Sequence, residues 1–293
     1  MASLKEVRTR IISVQGTRQI TSAMKMVSAA RLRKAQDMII KMRPYANKLM
    51  EILLNLTQSL ENTEDTVFGT KSDVKKVLIF AISSNKGLCG AFNLNVAKRV
   101  IQLLESDYKN LYNQNQVDII IAGKKVAEQM RNKGYTISET QHDILDHLSY
   151  ELVKSLAKRI MSSFETGVYG EVKIVYNQFR NAVVQNIVVE QYLPVVSPDS
   201  SNKEQYYFDY ILEPSQKEIV SDLIPKSLKI QLYKAFLESF ASEHGARMTA
   251  MHKATDNASD MIKSLQLEYN KARQASITKE ILEIVGGSEA LKG

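Results

Sequence analysis

Residues 233–265 read YKAFLESFASEHGARMTAMHKATDNASDMIKSL. Within them Tyr233, Leu237, Phe240, His244, Arg247, Met251, Ala254, Ala258, Met261 and Leu265 recur at alternating spacings of four and three. That rhythm lays one seam along a helix and requires a partner helix to cover it. The other end of the chain supplies a partner. Ala35, Met38, Met42, Tyr45, Leu49, Ile52 and Leu56 keep the same rhythm, and Leu4, Val7, Ile11 and Val14 begin it. Two such helices separated by a globular stretch form an intramolecular coiled coil, a shaft with a head rather than a pocket with a lid.

Working outward, residues 3–59 form one helical segment, with a bend or short break expected at Pro44, where proline removes a hydrogen bond and clashes with the preceding turn. Unbroken, it would be roughly 80 Å long at 1.5 Å per residue. Residues 61–76 are polar and aperiodic and read as a linker. The middle then alternates. Val77 to Ile82 and Val117 to Ala122 are short apolar runs that read as buried strands, and Tyr135 to Ile137 reads as a minor strand. Asn93 to Glu105, Lys124 to Asn132 and Leu148 to Phe164 have helical spacing. Val172 to Tyr176 and Val183 to Tyr192 flank a turn at Phe179 to Ala182 and read as a hairpin. Such alternation predicts a mostly parallel sheet with an antiparallel edge. Pro194, Pro198 and Asp199 to Asn202 mark the exit. The second long helix is expected from about Ser215 to Val285, with Pro225 in its early part and Gly286-Gly287 as its stop.

With 293 residues, 44% hydrophobic and 24% charged, the chain has globular composition. It contains no run of 18 apolar residues, so no helix spans a bilayer. The first residues already carry the heptad pattern and read as mature structure, neither a secretory leader nor a transit segment. One cysteine, Cys89, excludes an intrachain disulfide and a cysteine-based zinc cluster, which fits a reducing cytoplasm. The net charge of +7 is uneven: Lys5, Arg8, Arg10, Arg18, Lys25, Arg31, Arg33, Lys34, Lys41 and Arg43 face only Glu6 and Asp37. This is either a solvated face or a surface for an acidic protein, nucleic acid or lipid headgroup, and a helix already committed to a coiled coil favours a protein.

Ser83 to Gly90 follows a strand and precedes a helix, where α/β proteins bind phosphates. It has neither the dinucleotide spacing nor the Gly-Lys-Ser/Thr ending of a P-loop, so it reads as a tight turn that needs glycine for positive φ. Cys89 within it reads as a small packed residue. His142, His147, His244 and His252 show no metal-binding spacing. His244 and Arg247 on the seam have two readings, fixing register or touching an outside partner. No nucleophilic triad or catalytic carboxylate pair emerges. From Gln266 to Val285 the seam thins to Tyr269, Ala272 and Ala275, then Ile281 and Leu282. A lone helix tip this polar frays unless something surrounds it.

Four stretches carry a family resemblance: Ile20 to Ala35, Ser84 to Asn93, Glu238 to Ala258, and Ala272 to Gly287. In this order they resemble the gamma-subunit family of F-type ATP synthases. The one departure is Ser288, past the expected helix stop, where the family usually has alanine. The resemblance implies an α/β fold class. A long antiparallel coiled coil (1–60 and 207–287) would carry an inserted Rossmann-like domain (75–200). It implies a central rotor shaft, one per complex, that turns within a ring of alpha and beta subunits. Proton flow through the c ring would drive ATP synthesis, and epsilon would sit nearby. It implies no catalytic residue, no metal and no cofactor in this chain, no nucleic-acid partner, and membrane association only through the complex, on the cytoplasmic face of a bacterial plasma membrane. By matching, Met24 and Lys25 fall in a collar under the beta subunits. Arg247, Gln274, Thr278 and Glu280 match positions that touch the ring and affect coupling. Phe208 to Pro214 resembles a stretch near the foot. Cys89 alone cannot form the dithiol switch of chloroplast relatives. The competing readings are a basic coiled-coil protein that binds nucleic acid or acts as a scaffold, which predicts salt-dependent binding, and a small α/β enzyme with helical arms, which predicts turnover by the isolated chain.

Overall fold

The computed structural model describes residues 4–58, 68, 76–195, 213 and 215–290. The expected linker at 61–76, the exit around Pro198 to Asn202 and the stretch Phe208 to Pro214 fall almost wholly outside them. In chain order the elements are α1 (Leu4–Gln58), β1 (Val77–Ile82), α2 (Phe92–Glu105), α3 (Lys109–Asn113), β2 (Val117–Ala122), α4 (Lys124–Asn132), β3 (Glu139–Gln141), α5 (Asp143–Asp146), α6 (Tyr150–Glu165), β4 (Glu171–Phe179), β5 (Gln185–Leu193) and α7 (Gln216–Ala290). The chain divides into two compact units, Ala29–Ala246, and Met1–Ser28 with Arg247–Gly293.

The first unit is built on a five-stranded sheet of order β3-β2-β1-β4-β5. β1 pairs in parallel with β2 and β4, β2 pairs in parallel with β3, and β5 runs antiparallel to β4 at one edge. All six residues of β1 are buried, which is why its sequence is continuously apolar rather than alternating. Its side chains still alternate between faces. Leu78, Phe80 and Ile82 meet α6 and the adjoining parts of α1 and α7, whereas Val77, Ile79 and Ala81 meet α2 and α4. Each such buried side chain contributes about 1.5–3 kcal/mol. Phe80 packs on Phe236 of α7 with ring centroids 5.9 Å apart. Ser149 caps α6 by accepting from the Leu152 N–H at 3.4 Å.

Three local expectations change. The edge strand is Glu139–Gln141, not Tyr135 to Ile137. Pairing with Ile120 to Ala122 sets its position, while Tyr135 turns away to donate to Glu105 at 2.6 Å and to meet the Tyr112 ring at 6.1 Å. β5 begins at Gln185, leaving Val183 72% exposed, because Asn181 Oδ1 accepts from the Val183 and Val184 N–H groups and closes the turn there. The short helices α3 and α5 have no periodic signal at their length. In α1 and α7, Pro44 and Pro225 lie inside continuous helices. Around Pro225 the turns are held by buried Val220, Ile224 and Leu228, and around Pro44 by Met42, Ala46 and Leu49.

In the second unit the two helical segments run antiparallel. The Thr255 hydroxyl donates to that of Thr21 at 2.9 Å. Thr21 lies seven residues back from the unit boundary at Ser28, and Thr255 eight residues forward from the boundary at Arg247, so the segments count in opposite directions. Val7, Thr21 and Ser28 on one segment and Arg247, Met251, Ala258, Ile262 and Leu265 on the other are buried. The seam therefore runs where the spacing put it, through Arg247, Met251, Ala258 and Leu265, and departs from it at single positions. Met261 is 54% exposed and Ile262 buried; in the first unit Tyr45 is 58% exposed and Ala46 half-buried. At these two positions the residue next along the helix faces the partner instead, a one-residue offset within an otherwise unchanged seam. α7 also passes through Gly286-Gly287 to Ala290. Neither glycine takes the positive φ that a left-handed stop needs, and each costs a helix only about 1 kcal/mol relative to alanine.

Candidate functional site

In a sheet of this order the ligand crevice of an α/β protein lies outside the carboxyl ends of β1 and β4, where the connections change direction. Ser83 to Gly90 occupies that place. Most of its polar groups bond within the protein, Asn85 Oδ1 being buried without a hydrogen-bond partner. The Ser84 hydroxyl donates to the Lys86 carbonyl at 2.7 Å, and its N–H donates to Asn93 Oδ1 at 3.1 Å. Asn93 Nδ2 donates to Ser84 Oγ at 2.8 Å and to Cys89 Sγ at 3.2 Å. Asn85 Nδ2 donates to the His142 carbonyl and to Asp146. Gly123 closes the neighbouring side: a Cβ there would lie 2.4 Å from Ser83 Oγ and 2.9 Å from the Ser84 nitrogen, at φ +112°. The turn reading holds, with one addition. Gly90 has φ +59°, and so does a non-glycine, Leu88, at +61°, exposed at the tip. Cys89 is packed at 2% exposure.

The helices carry the other candidates. Nine of the ten basic residues between Lys5 and Arg43 are exposed, Lys25 being half-buried, so the helix is basic on its solvent side. Arg10 pairs with Glu6 at 2.7 Å. Met24 is half-buried, and its carbonyl accepts from Ser28 Oγ at 2.7 Å. Arg247 is buried at 6%. Gln274, Thr278 and Glu280 are exposed, and Thr278 Oγ1 donates to the Gln274 carbonyl at 2.9 Å. The six residues do not converge on one pocket: Arg247 and Gln274 are about 40 Å apart along the helix axis. His244 is 2% exposed, with its ring edge-on to Phe240 at 4.4 Å, which favours the register-fixing reading. His252 is exposed, 3.5 Å from Asp256. No group of three or more His, Cys, Asp or Glu side chains able to hold a metal is present among the described residues.

The tip of α7 has the most unusual environment. Seventeen residues separate Thr21 from Leu4, where the described part of α1 begins, and seventeen separate Thr255 from Ala272. Ala272 is the last of the described side chains of α7 that is not exposed; 273–288 are all exposed. They include Ile277, Ile281, Leu282, Ile284 and Val285, each about half exposed or more.

Two features escaped the sequence. Residues 235–245 of α7 are buried nearly all round, so no polar face marks the stretch. Within it Glu238 is 7% exposed, and its Oε2 has no hydrogen-bond partner. Burial raises its proton affinity, opposed by Lys234, reinforced by Glu190 and opposed again by Arg43. Glu190 accepts from the buried Tyr176 hydroxyl at 2.7 Å. No local pattern announces such a cluster, since its members come from β4, β5 and α7.

The described residues thus make up a paired-helix unit and an α/β unit on a five-stranded sheet, the architecture to set beside known proteins. A family model described as ATP synthase matches residues 3–291, and the chain belongs to that family. Its curated relatives are gamma chains. The ATP synthase gamma chain of Flavobacterium johnsoniae is 53% identical over 293 residues, covering 100% of both chains. That of Cytophaga hutchinsonii is 51% identical, covering 99% of both. Among solved structures, a chain of the Euglena gracilis mitochondrial ATP synthase (OSCP/F1/c-ring, rotational state 3) superposes with a TM-score of 0.67. It is 22% identical and covers 98% of this chain and 94% of that one, a likeness of fold.

Proposed function

We propose that this chain is the central stalk of an F-type ATP synthase and acts as its rotor shaft, one copy per complex. The observation that carries the reading is the end of α7, residues 273–288, all exposed in a chain whose full-length relatives are gamma chains. A helix with exposed Ile277, Ile281, Leu282 and Ile284 is marginal in water and is stabilised by a surrounding sleeve. Alpha and beta subunits would form that sleeve, the basic solvent side of α1 would meet acidic surfaces on beta, and the α/β domain (75–200) would lie towards epsilon and the c ring. The chain itself holds no catalytic residue in this reading. It transmits torque between proton flow and the nucleotide sites, from the cytoplasmic face of a bacterial plasma membrane. Met24 and Lys25 serve in the collar. Arg247, Gln274, Thr278 and Glu280 serve coupling, Arg247 by holding the helical pair rather than by reaching outward, because it is buried.

The test is recovery of the tagged chain from native membranes with its companions identified by mass. Alpha and beta in threefold excess support the reading. Recovery alone, or with nucleic acid, overturns it.

A further inference from the structure

Lys154 and Lys158 stand one turn apart on α6, and Lys226 and Lys229 stand three residues apart on α7. The rings of Tyr150 and Tyr233 meet edge-on at 5.5 Å and set these two helices against each other. Tyr150 is one turn before Lys154, and Tyr233 is one turn after Lys229, so the two lysine pairs face one another. Lys154 Nζ lies 5.9 Å from the centre of the Tyr150 ring. Burial holds Lys229 below the usual lysine range. The charges of Lys158, Lys154 and Lys226 then lower it further, against an opposing pull from Asp222.

The local carboxylates do not neutralise this cluster. Glu151 takes Lys154 at 3.1 Å and Asp222 takes Lys226 at 3.2 Å. Lys158 and Lys229 have no ion pair among the described residues. Four lysines against two carboxylates leave two positive charges where α6 meets α7, and Lys229 feels the charges of the other three. Such crowding is unfavourable in the free chain and is relieved by a bound anion. Lysine ammoniums act as point charges with several donors each, which suits a tetrahedral group rich in acceptors and carrying more than one charge.

We propose that Lys154, Lys158, Lys226 and Lys229 form an anion site between α6 and α7 that takes a phosphate-bearing group, either a free diphosphate-type anion or a phospholipid headgroup. All four lysines lie within the unit Ala29–Ala246, and the proposal does not depend on the rotor reading. Its groups are those of a polybasic surface, worth most against phosphate at a membrane.

The test uses the full chain at physiological salt, where diffuse surface attraction is screened. Pyrophosphate is titrated while the lysine side-chain signals are followed by NMR. In parallel, retention is measured on vesicles of phosphatidylcholine with and without phosphatidic acid. Lys158→Gln with Lys229→Gln removes the two unpaired charges. Lys98→Gln with Lys133→Gln removes two exposed charges elsewhere in the same unit. The expected result is saturable binding that shifts Lys229, weakened about tenfold or more by the first pair and left within about twofold by the second. Pyrophosphate binding without vesicle retention assigns a soluble anion. Retention on phosphatidic acid vesicles, lost in the first pair, assigns a headgroup. Equal losses in both pairs, or no saturable binding to either probe, overturn the site. Lys229→Arg keeps the charge and fold and is expected to retain binding, which separates loss of the site from loss of structure.

Discussion

Glu238 concentrates the polar cost of the α/β unit. It reaches into a space bounded by Tyr176, Glu190, Lys234 and Arg43, and one of its oxygens has no partner. Its proton affinity is raised in the folded chain, so the folded state holds more protons than the unfolded state once the pH exceeds the ordinary glutamate range. Stability therefore falls as pH rises from there through the folded-state value. Glu238→Gln is expected to raise the melting temperature at pH 8 by roughly 2–4 °C and to change it little at pH 5, measured by calorimetry at both. An equal shift at both pH values would place the effect in packing instead. Gly123 makes a sharper steric demand. Gly123→Ala puts a methyl against Ser83 and Ser84 and requires φ +112° of a residue with a Cβ, so a loss of about 2–4 kcal/mol in urea unfolding is expected. Neither position was legible in sequence. Gly123 lies in an ordinary strand-to-helix connection, and Glu238 looks like one more helix carboxylate until β4 and β5 close over it.

At the scale of elements, both long helices were legible because the rhythm of four and three persists over many turns. Their contacting faces were legible only in part. Ile262→Ala is expected to cost about 2–4 kcal/mol, whereas Met261→Ala should fall within about 0.5 kcal/mol of the parent chain. Thermal unfolding, with amide exchange over 4–28 and 247–272, distinguishes the two. Comparable losses at both positions would restore the seam through Met261. The mostly parallel sheet and its antiparallel edge followed from the alternation of short apolar runs with helical spacing, whereas the strand order came only from the structure. The edge strand at Glu139–Gln141 did not, because a polar three-residue strand is defined by the neighbour it pairs with and not by its own composition.

At the scale of the whole molecule, the exposed end of α7 divides folding from assembly. A chain ending at Ala272 is expected to melt within about 1 °C of the full chain, because residues 273–288 bury nothing against it. The same truncation should impair an assembled complex. Arg247→Ala with Gln274→Ala is expected to lower ATP hydrolysis and coupled proton pumping in that complex, and unchanged values for both would remove these residues from coupling. What the amino-acid order alone determined was the pair of heptad helices, the α/β insert between them, the turn character of Ser83 to Gly90 and the family to which the chain belongs. These rest on periodicity and local steric needs, which neighbouring residues set. Only the tertiary structure decided the local offset of the seam at Met261 and Ile262, the bonding of Asn93 across the loop, the burial of Glu238 and His244, the facing lysines of α6 and α7, and the exposure of α7 beyond Ala272. Each of these depends on groups far apart in the chain, brought into contact by packing that no local pattern encodes.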